Sequence, residues 1–159
     1  ETVQISFVGD SAVVFRGGNV ELTTLTLNGE FPDYEKVIPE ELKVMCSVHT
    51  GDMLNACRQA RVFARDGDMI ARLRLLGDNV TITGMSKEKG RSEATFDADL
   101  NVEEAYIAFN VRYLEDALKA IDDSKTILGM NDASSAAVIR PVNDEDYIQV
   151  IMPMKEKKD

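Results

Sequence analysis

The sequence predicts an α+β fold made from a duplicated β-α-β-β-β unit, and three observations predict it. Two stretches of helical spacing, residues 52–65 and 110–122, each follow one strand-like run and precede three more. Short turn signals, not helices, separate the strand-like runs, which indicates antiparallel pairing. The whole order then repeats after about 55 residues, the size of one such unit.

Each element has its own justification. Residues 2–8 (Thr-Val-Gln-Ile-Ser-Phe-Val) alternate apolar and polar, the period of a half-buried strand. Gly9-Asp10 turns the chain into a strand at 12–15, and Arg16-Gly17-Gly18-Asn19 turns it again. Residues 20–27 form a third strand, with Val20, Leu22, Leu25 and Leu27 expected to face inward, before the turn dipeptide Asn28-Gly29. These three strands have no helix of their own and read as the back half of one further unit.

Residues 30–41 hold Pro32 and Pro39, which cannot sit inside a ladder, and so form a connector. It carries Phe31, Tyr34, Val37 and Ile38, apolar enough to be expected against a partner surface. A strand at 42–48 follows, and Thr50 or Asp52 is placed to cap helix 52–65. Strands near 70–76, 79–85 and 91–98 complete the first unit. The second runs through a strand at 105–109, helix 110–122 ended by Asp122-Asp123-Ser124, and strands near 125–130, 135–140 and 147–152.

The composition removes most chemistries. The chain has 159 residues, 44% of them apolar, and a formal net charge of −10, so it can bury a core without covalent staples. Two cysteines, Cys46 and Cys57, make no disulfide framework; both read as core residues in a reducing, cytoplasmic setting. The one histidine, His49, rules out a His-rich site, and a zinc site from Cys46, His49 and Cys57 would have unfamiliar spacing. No Gly-x-Ser-x-Gly elbow and no phosphate-binding Gly-Lys-Ser/Thr loop occurs. Acidic pairs such as Glu103-Glu104 read as solvated surface. The expectation is therefore a protein that is not an enzyme, with no cofactor and no metal. No apolar run reaches the ~18 residues of a membrane helix, and no secretory signal opens the chain.

Helical geometry singles out the bases. At about 100° per residue, Met53, Cys57, Ala60, Phe63 and Ala64 share one side of helix 52–65, and Arg58, Arg61 and Arg65 form a narrow wedge beside it. On helix 110–122, Tyr113, Leu114, Ala117, Leu118 and Ile121 share the apolar side, while Arg112 and Lys119 project together from the polar side. Such faces are often plain solvated surface, with Glu115-Lys119 an ordinary pair four residues apart. In a chain this acidic, three arginines on one wedge also suit a polyanion held at one face and repelled elsewhere. The C-terminal run Tyr-Ile-Gln-Val-Ile-Met-Pro-Met-Lys ends an apolar strand in methionines, which either finish a core or form an adaptable recognition surface.

Several motifs, in order and at matching spacing over essentially the whole chain, resemble one family. They are Gly29-Glu30-Phe31-Pro32-Asp33-Tyr34 with Val37-Ile38-Pro39, Phe109-Asn110-Val111-Arg112-Tyr113-Leu114, Val138-Ile139-Arg140-Pro141 and the closing Val150-Ile151-Met152-Pro153-Met154. The set is similar to the bacterial sliding clamps, the beta subunit of DNA polymerase III. The resemblance implies the DNA clamp fold, with residues 1–30 as the last strands of a second clamp domain, 31–41 as the interdomain connector and 42–159 as a complete third domain. It implies a processivity factor: a ring homodimer when full length, closed around duplex DNA without sequence readout and carrying no catalytic residues.

On this reading Arg58, Arg61, Arg65, Arg112 and Lys119 face the DNA, an assignment made from helix geometry alone. The resemblance further implies a hydrophobic pocket for short linear motifs of the replicative polymerase, the clamp loader and repair proteins. Positions matching its lining are Pro32, Lys36, Val37, Asn110, Tyr113, Ser134, Ala136, Val150, Ile151, Met152, Pro153, Met154 and Lys155. Near Asp68-Met69, where an aromatic commonly closes the pocket, this sequence has none. The competing reading is a β-rich scaffold or peptide-binding module with no DNA role.

Overall fold

The computed structural model describes residues 2–31 and 33–155. The chain divides into two compact units, Glu1–Asp33 and Tyr34–Asp159.

The first unit is a three-stranded antiparallel meander of β1 (Gln4–Val8), β2 (Ala12–Gly17) and β3 (Val20–Leu25). Its register is regular, from Gln4 opposite Arg16 to Gly17 opposite Val20. The inward positions expected on the third strand are not inward. Val20, Leu22, Leu25 and Leu27 are all exposed, and Val14 is the buried hydrophobic residue here. A lone sheet offers an alternating pattern but no second layer to bury it. In the connector Phe31, Tyr34 and Val37 are exposed, while Ile38 is half-buried.

The second unit opens with one 3-10 turn, Tyr34–Val37. Then come β4 (Val44–His49), α1 (Thr50–Ala64), β5 (Ile70–Leu76), β6 (Asn79–Ser86) and β7 (Gly90–Leu100). The sequence of elements recurs in β8 (Glu104–Asn110), α2 (Val111–Lys119), β9 (Lys125–Met130), β10 (Ala137–Pro141) and β11 (Gln149–Ile151). The eight strands form one antiparallel sheet in the order β11-β10-β9-β4-β7-β6-β5-β8. Replacing each strand by its counterpart in the other copy turns one half of that order, β11-β10-β9-β4, into the other, β7-β6-β5-β8. Each half therefore borrows the first strand of the opposite copy. At the centre β4 pairs with β7, Cys46 opposite Leu100. The equivalent contact at the outer ends is the Met154 N–H donating to the Ala108 carbonyl of β8 at 2.7 Å.

Strand alternation decides which side is covered. Leu73 and Leu75 of β5 and Val80 and Ile82 of β6 point into the core, while Arg74 and Thr81 point away. Both helices lie against this one hydrophobic cluster, α1 through Met53, Ala56, Cys57, Ala60 and Ala64, α2 through Leu114, Ala117 and Leu118. The small residues on α1 allow a close approach to β6. A Cβ on Gly84 would stand 2.2 Å from the Ala60 carbonyl oxygen, so only glycine fits there.

Helix limits differ from expectation by identifiable bonds. Neither Thr50 nor Asp52 caps α1; His49 holds the cap position without a side-chain bond. Thr50 is already helical, its N–H bonded to the Ser124 carbonyl and its hydroxyl paired with that of Thr126 at 2.8 Å. Asn110 lies outside α2 and caps it, its Oδ1 accepting from the Arg112 N–H at 3.0 Å. Tyr113, placed on the apolar side by periodicity, is exposed, and Phe63 is half-buried. Cys46 and Cys57 are free and buried, and burial pushes both thiols up to about 12, so neither is a thiolate at neutral pH. No helix of the described residues is long and apolar enough to cross a membrane.

Candidate functional site

Arg58, Arg61 and Arg65 recur every three or four residues on α1 and therefore leave the helix on one side. They converge on one cavity of about 450 Å³, shared with Val62 of the same helix, Lys89 of the β6–β7 turn and Glu115 of α2. Lys89 was not legible as part of this face from sequence, because a turn 24 residues beyond Arg65 has no helical phase to relate it.

Glu115 is the residue that periodicity misplaced. It is 3% exposed and sits where the two helices meet. Its Oε2 accepts from Nη1 of Arg61 at 2.8 Å, and its Oε1 lies 2.7 Å from Nζ of Lys119. One buried carboxylate thus joins the two helices and engages two of the expected DNA-facing cations. Burial alone would raise its pKa, but the bonds from Lys119 and Arg61 outweigh that and hold the carboxyl below the usual range. A lowered folded value gives stability that is present above the unfolded Glu value of about 4.3 and is lost as pH falls through the folded value. Replacing Glu115 by Gln should therefore cost about 1–3 kcal/mol at neutral pH and flatten the loss of thermal stability below about pH 4. Thermal melts across that range check this; an acid slope identical to wild type would refute the pairing.

The other cations differ in their partners. Arg112 lies 3.9 Å from Asp116, and Lys119 also approaches Asp116 at 3.6 Å. Lys89 is tied to Asp66 at 2.6 Å. Arg58 and Arg65 have no ion pair among the described residues; Arg58 reaches Asn55 at 3.5 Å. Of the five bases predicted for this face, Arg58 and Arg65 therefore carry the least compensated charge.

The C-terminal run lies against the second copy's strands. Ala137 pairs with Ile151 and Val138 with Val150, and Ala136 and Met152 lie just beyond that end of the ladder. Gln149 Nε2 donates to the Ala117 carbonyl of α2, and the Met154 N–H to Ala108 of β8. An open groove of about 870 Å³ follows this run, lined by Ile70, Met85 and Met154 and by Asp66, Asp68, Arg72, Lys87 and Lys155. The loop that forms its near wall turns through Met69 in the left-handed region, φ 57°, and the Met69 carbonyl accepts from the Val111 N–H at 2.7 Å.

A family model, the C-terminal domain of the DNA polymerase III beta subunit, matches residues 35–155. The chain belongs to the DNA polymerase III beta subunit family. It is 29% identical to the beta sliding clamp of Staphylococcus aureus over 151 residues, 94% of this chain and 40% of that protein. The structure of the DNA polymerase III subunit beta from Pseudomonas aeruginosa superposes with a TM-score of 0.85 at 25% identity, over 97% of this chain and 42% of that one. The Bartonella birtlesii sliding clamp bound to griselimycin gives 0.86 at 25% identity, over 97% and 41%. The chain thus spans about two-fifths of the length of these relatives, and its α+β architecture is that of the clamp fold.

Within this beta-subunit domain, the positions expected to line a peptide pocket fall into separate groups. Asn110 faces Ile70 across the β8–β5 ladder, and Met154 is bonded to the same β8 strand. Tyr113 and Met152 are exposed, Val150 and Pro153 half-buried, and Ile151 buried. Of the predicted set, Met154 and Lys155 line the open groove. Ser134 is turned into its own loop: its N–H and hydroxyl both donate to Asp132 Oδ1 at 2.7 Å, and these bonds with those of Ser135 hold the Asp132 carboxyl far below its usual range. Lys36 and Val37 lie on the exposed 3-10 turn. The connector beyond them is held to the β9–β10 loop, Asn131 bonding Glu41 and Lys43 and Leu42 covering Gly129. Pro32 lies outside the described residues. Ile70, Arg72, Met85 and Lys87 line the same groove and are not among the positions predicted from sequence. Among the described residues no group of His, Cys, Asp and Glu is arranged to hold a metal ion.

Proposed function

We propose that this chain is the C-terminal part of a DNA sliding clamp, a non-catalytic processivity factor that holds duplex DNA against α1 and α2. The observation that carries the reading is the meeting of Arg58, Arg61, Arg65 and Lys89 at one cavity in a molecule of net charge −10. A local basic face on an acidic body attracts a polyanion to one side and repels it from the others, and arginines without base-edge contacts hold phosphates without reading sequence. Residues 1–30 are then the last strands of a second clamp domain and 42–159 the third. The division between units near Asp33 and the family match from residue 35 support that assignment. The full-length protein would be a cytoplasmic ring homodimer.

The second part of the proposal is a peptide site at the C-terminal run, for short linear motifs of the polymerase, clamp loader and repair proteins. An exposed Met152 and Tyr113 and a groove containing Met154 offer apolar contact with few polar groups to orient a ligand. A short clamp-binding peptide should bind this chain saturably and weakly, followed by NMR titration. Met152→Ala with Met154→Ala should weaken it by about tenfold, the loss of two apolar anchors. A folded wild-type chain with no saturable binding at millimolar peptide would exclude the site.

A further inference from the structure

The basic face holds two kinds of cation, and one buried acid separates them. Arg61 comes from α1 and Lys119 from α2, yet both end on the two oxygens of Glu115. Arg58 and Arg65, one turn to either side of Arg61, line the same cavity and have no ion pair among the described residues. A carboxylate so little exposed cannot be neutralised by water, so each oxygen requires its cation. Each base keeps further N–H donors, but its charge is partly offset by this carboxylate before any phosphate reaches it.

We propose that Glu115 is a positioning residue of the phosphate-facing surface: it holds Arg61 and Lys119 together between the helices and offsets part of their charge toward phosphate, leaving Arg58 and Arg65 as the principal contacts. This rests on the reading of that face as the DNA side. The arrangement keeps the grip weak, since each phosphate neutralised steepens the salt dependence of binding and slows motion along the duplex.

The test is equilibrium binding of a short duplex by the 159-residue chain over a salt series. E115Q keeps the side chain's shape and removes its charge. It should bind duplex several-fold more tightly at low salt, with a salt slope steeper by about 0.9 for each cation released. A purely structural role for Glu115 would change the melting temperature and leave that slope alone. A folded E115Q with the wild-type slope overturns the inference. Should E115Q not fold, E115D and R65Q decide: R65Q should lower affinity several-fold, while E115D, which keeps the charge but is too short to hold both cations, should steepen the slope, and a folded E115D with the wild-type affinity and slope overturns the inference. The two failures are separable. Absence of salt-dependent binding by wild type removes the DNA face and this inference together, whereas wild-type binding with no change in E115Q removes the inference alone.

Discussion

Gly84→Ala should destabilise the chain by about 3 kcal/mol, the upper part of the range for overpacking a core, and lower its melting temperature by about 6–12 °C. Adding one methyl group is usually harmless in a strand. Here the new Cβ meets the Ala60 carbonyl oxygen at 2.2 Å, with the Ala60 carbonyl carbon and Cα at 2.7 Å. These are backbone atoms in the middle of α1, so no rotamer change can relieve the clash. The helix must lift from β6, and every contact of Met53, Ala56, Cys57 and Ala64 loosens with it. Gly51→Ala is the matched control: it lies in the first turn of the same helix, where an added Cβ would meet no heavy atom within 4 Å, and it should be neutral or slightly stabilising. Calorimetric melts of the two variants test this, and equal melting temperatures would mean that α1 does not press on β6 as described.

Reversing the two uncompensated arginines, Arg58→Glu with Arg65→Glu, should abolish duplex binding by the chain while leaving its melting temperature within a few degrees of wild type. Both side chains project from α1 into the shared cavity, and neither holds an ion pair among the described residues, so the folding cost is confined to the long, exposed Arg58–Asn55 bond and the charge of Arg65 beside Asp66. The substitution puts two carboxylates where phosphates would sit, in the cavity that Glu115 also lines. Like charges there repel a polyanion that the wild-type cavity attracts. Arg61 is left intact on purpose, because its reversal would set a second carboxylate against buried Glu115 and confuse unfolding with loss of binding. Retained, salt-sensitive duplex binding in the folded double variant would place the DNA contact elsewhere and favour a scaffold with no DNA role.

The architecture was largely legible before any coordinates. The two helical stretches separated by strand-like runs carry the duplicated order, because local periodicity depends on residues only a few positions apart. The narrow arginine wedge on α1 was legible for the same reason. Glu115 was not. Its helical phase marked it as polar surface, and the arrival of Arg61 from the other helix, 54 residues away in sequence, adds to Lys119 the second cation that makes a buried carboxylate tolerable there. Lys89 joined the cavity from a turn that no helical periodicity relates to α1.

By itself the sequence determined the α+β class, the repeated unit, the helix faces and the family. Tertiary structure alone decided the exchange of first strands between the two copies, the need for glycine at residue 84, and which of the bases are already engaged by acids. The physical reason is range: turns, caps and amphipathic spacing act over one or two helical turns, whereas burial of a charge depends on whichever distant segment the fold lays beside it.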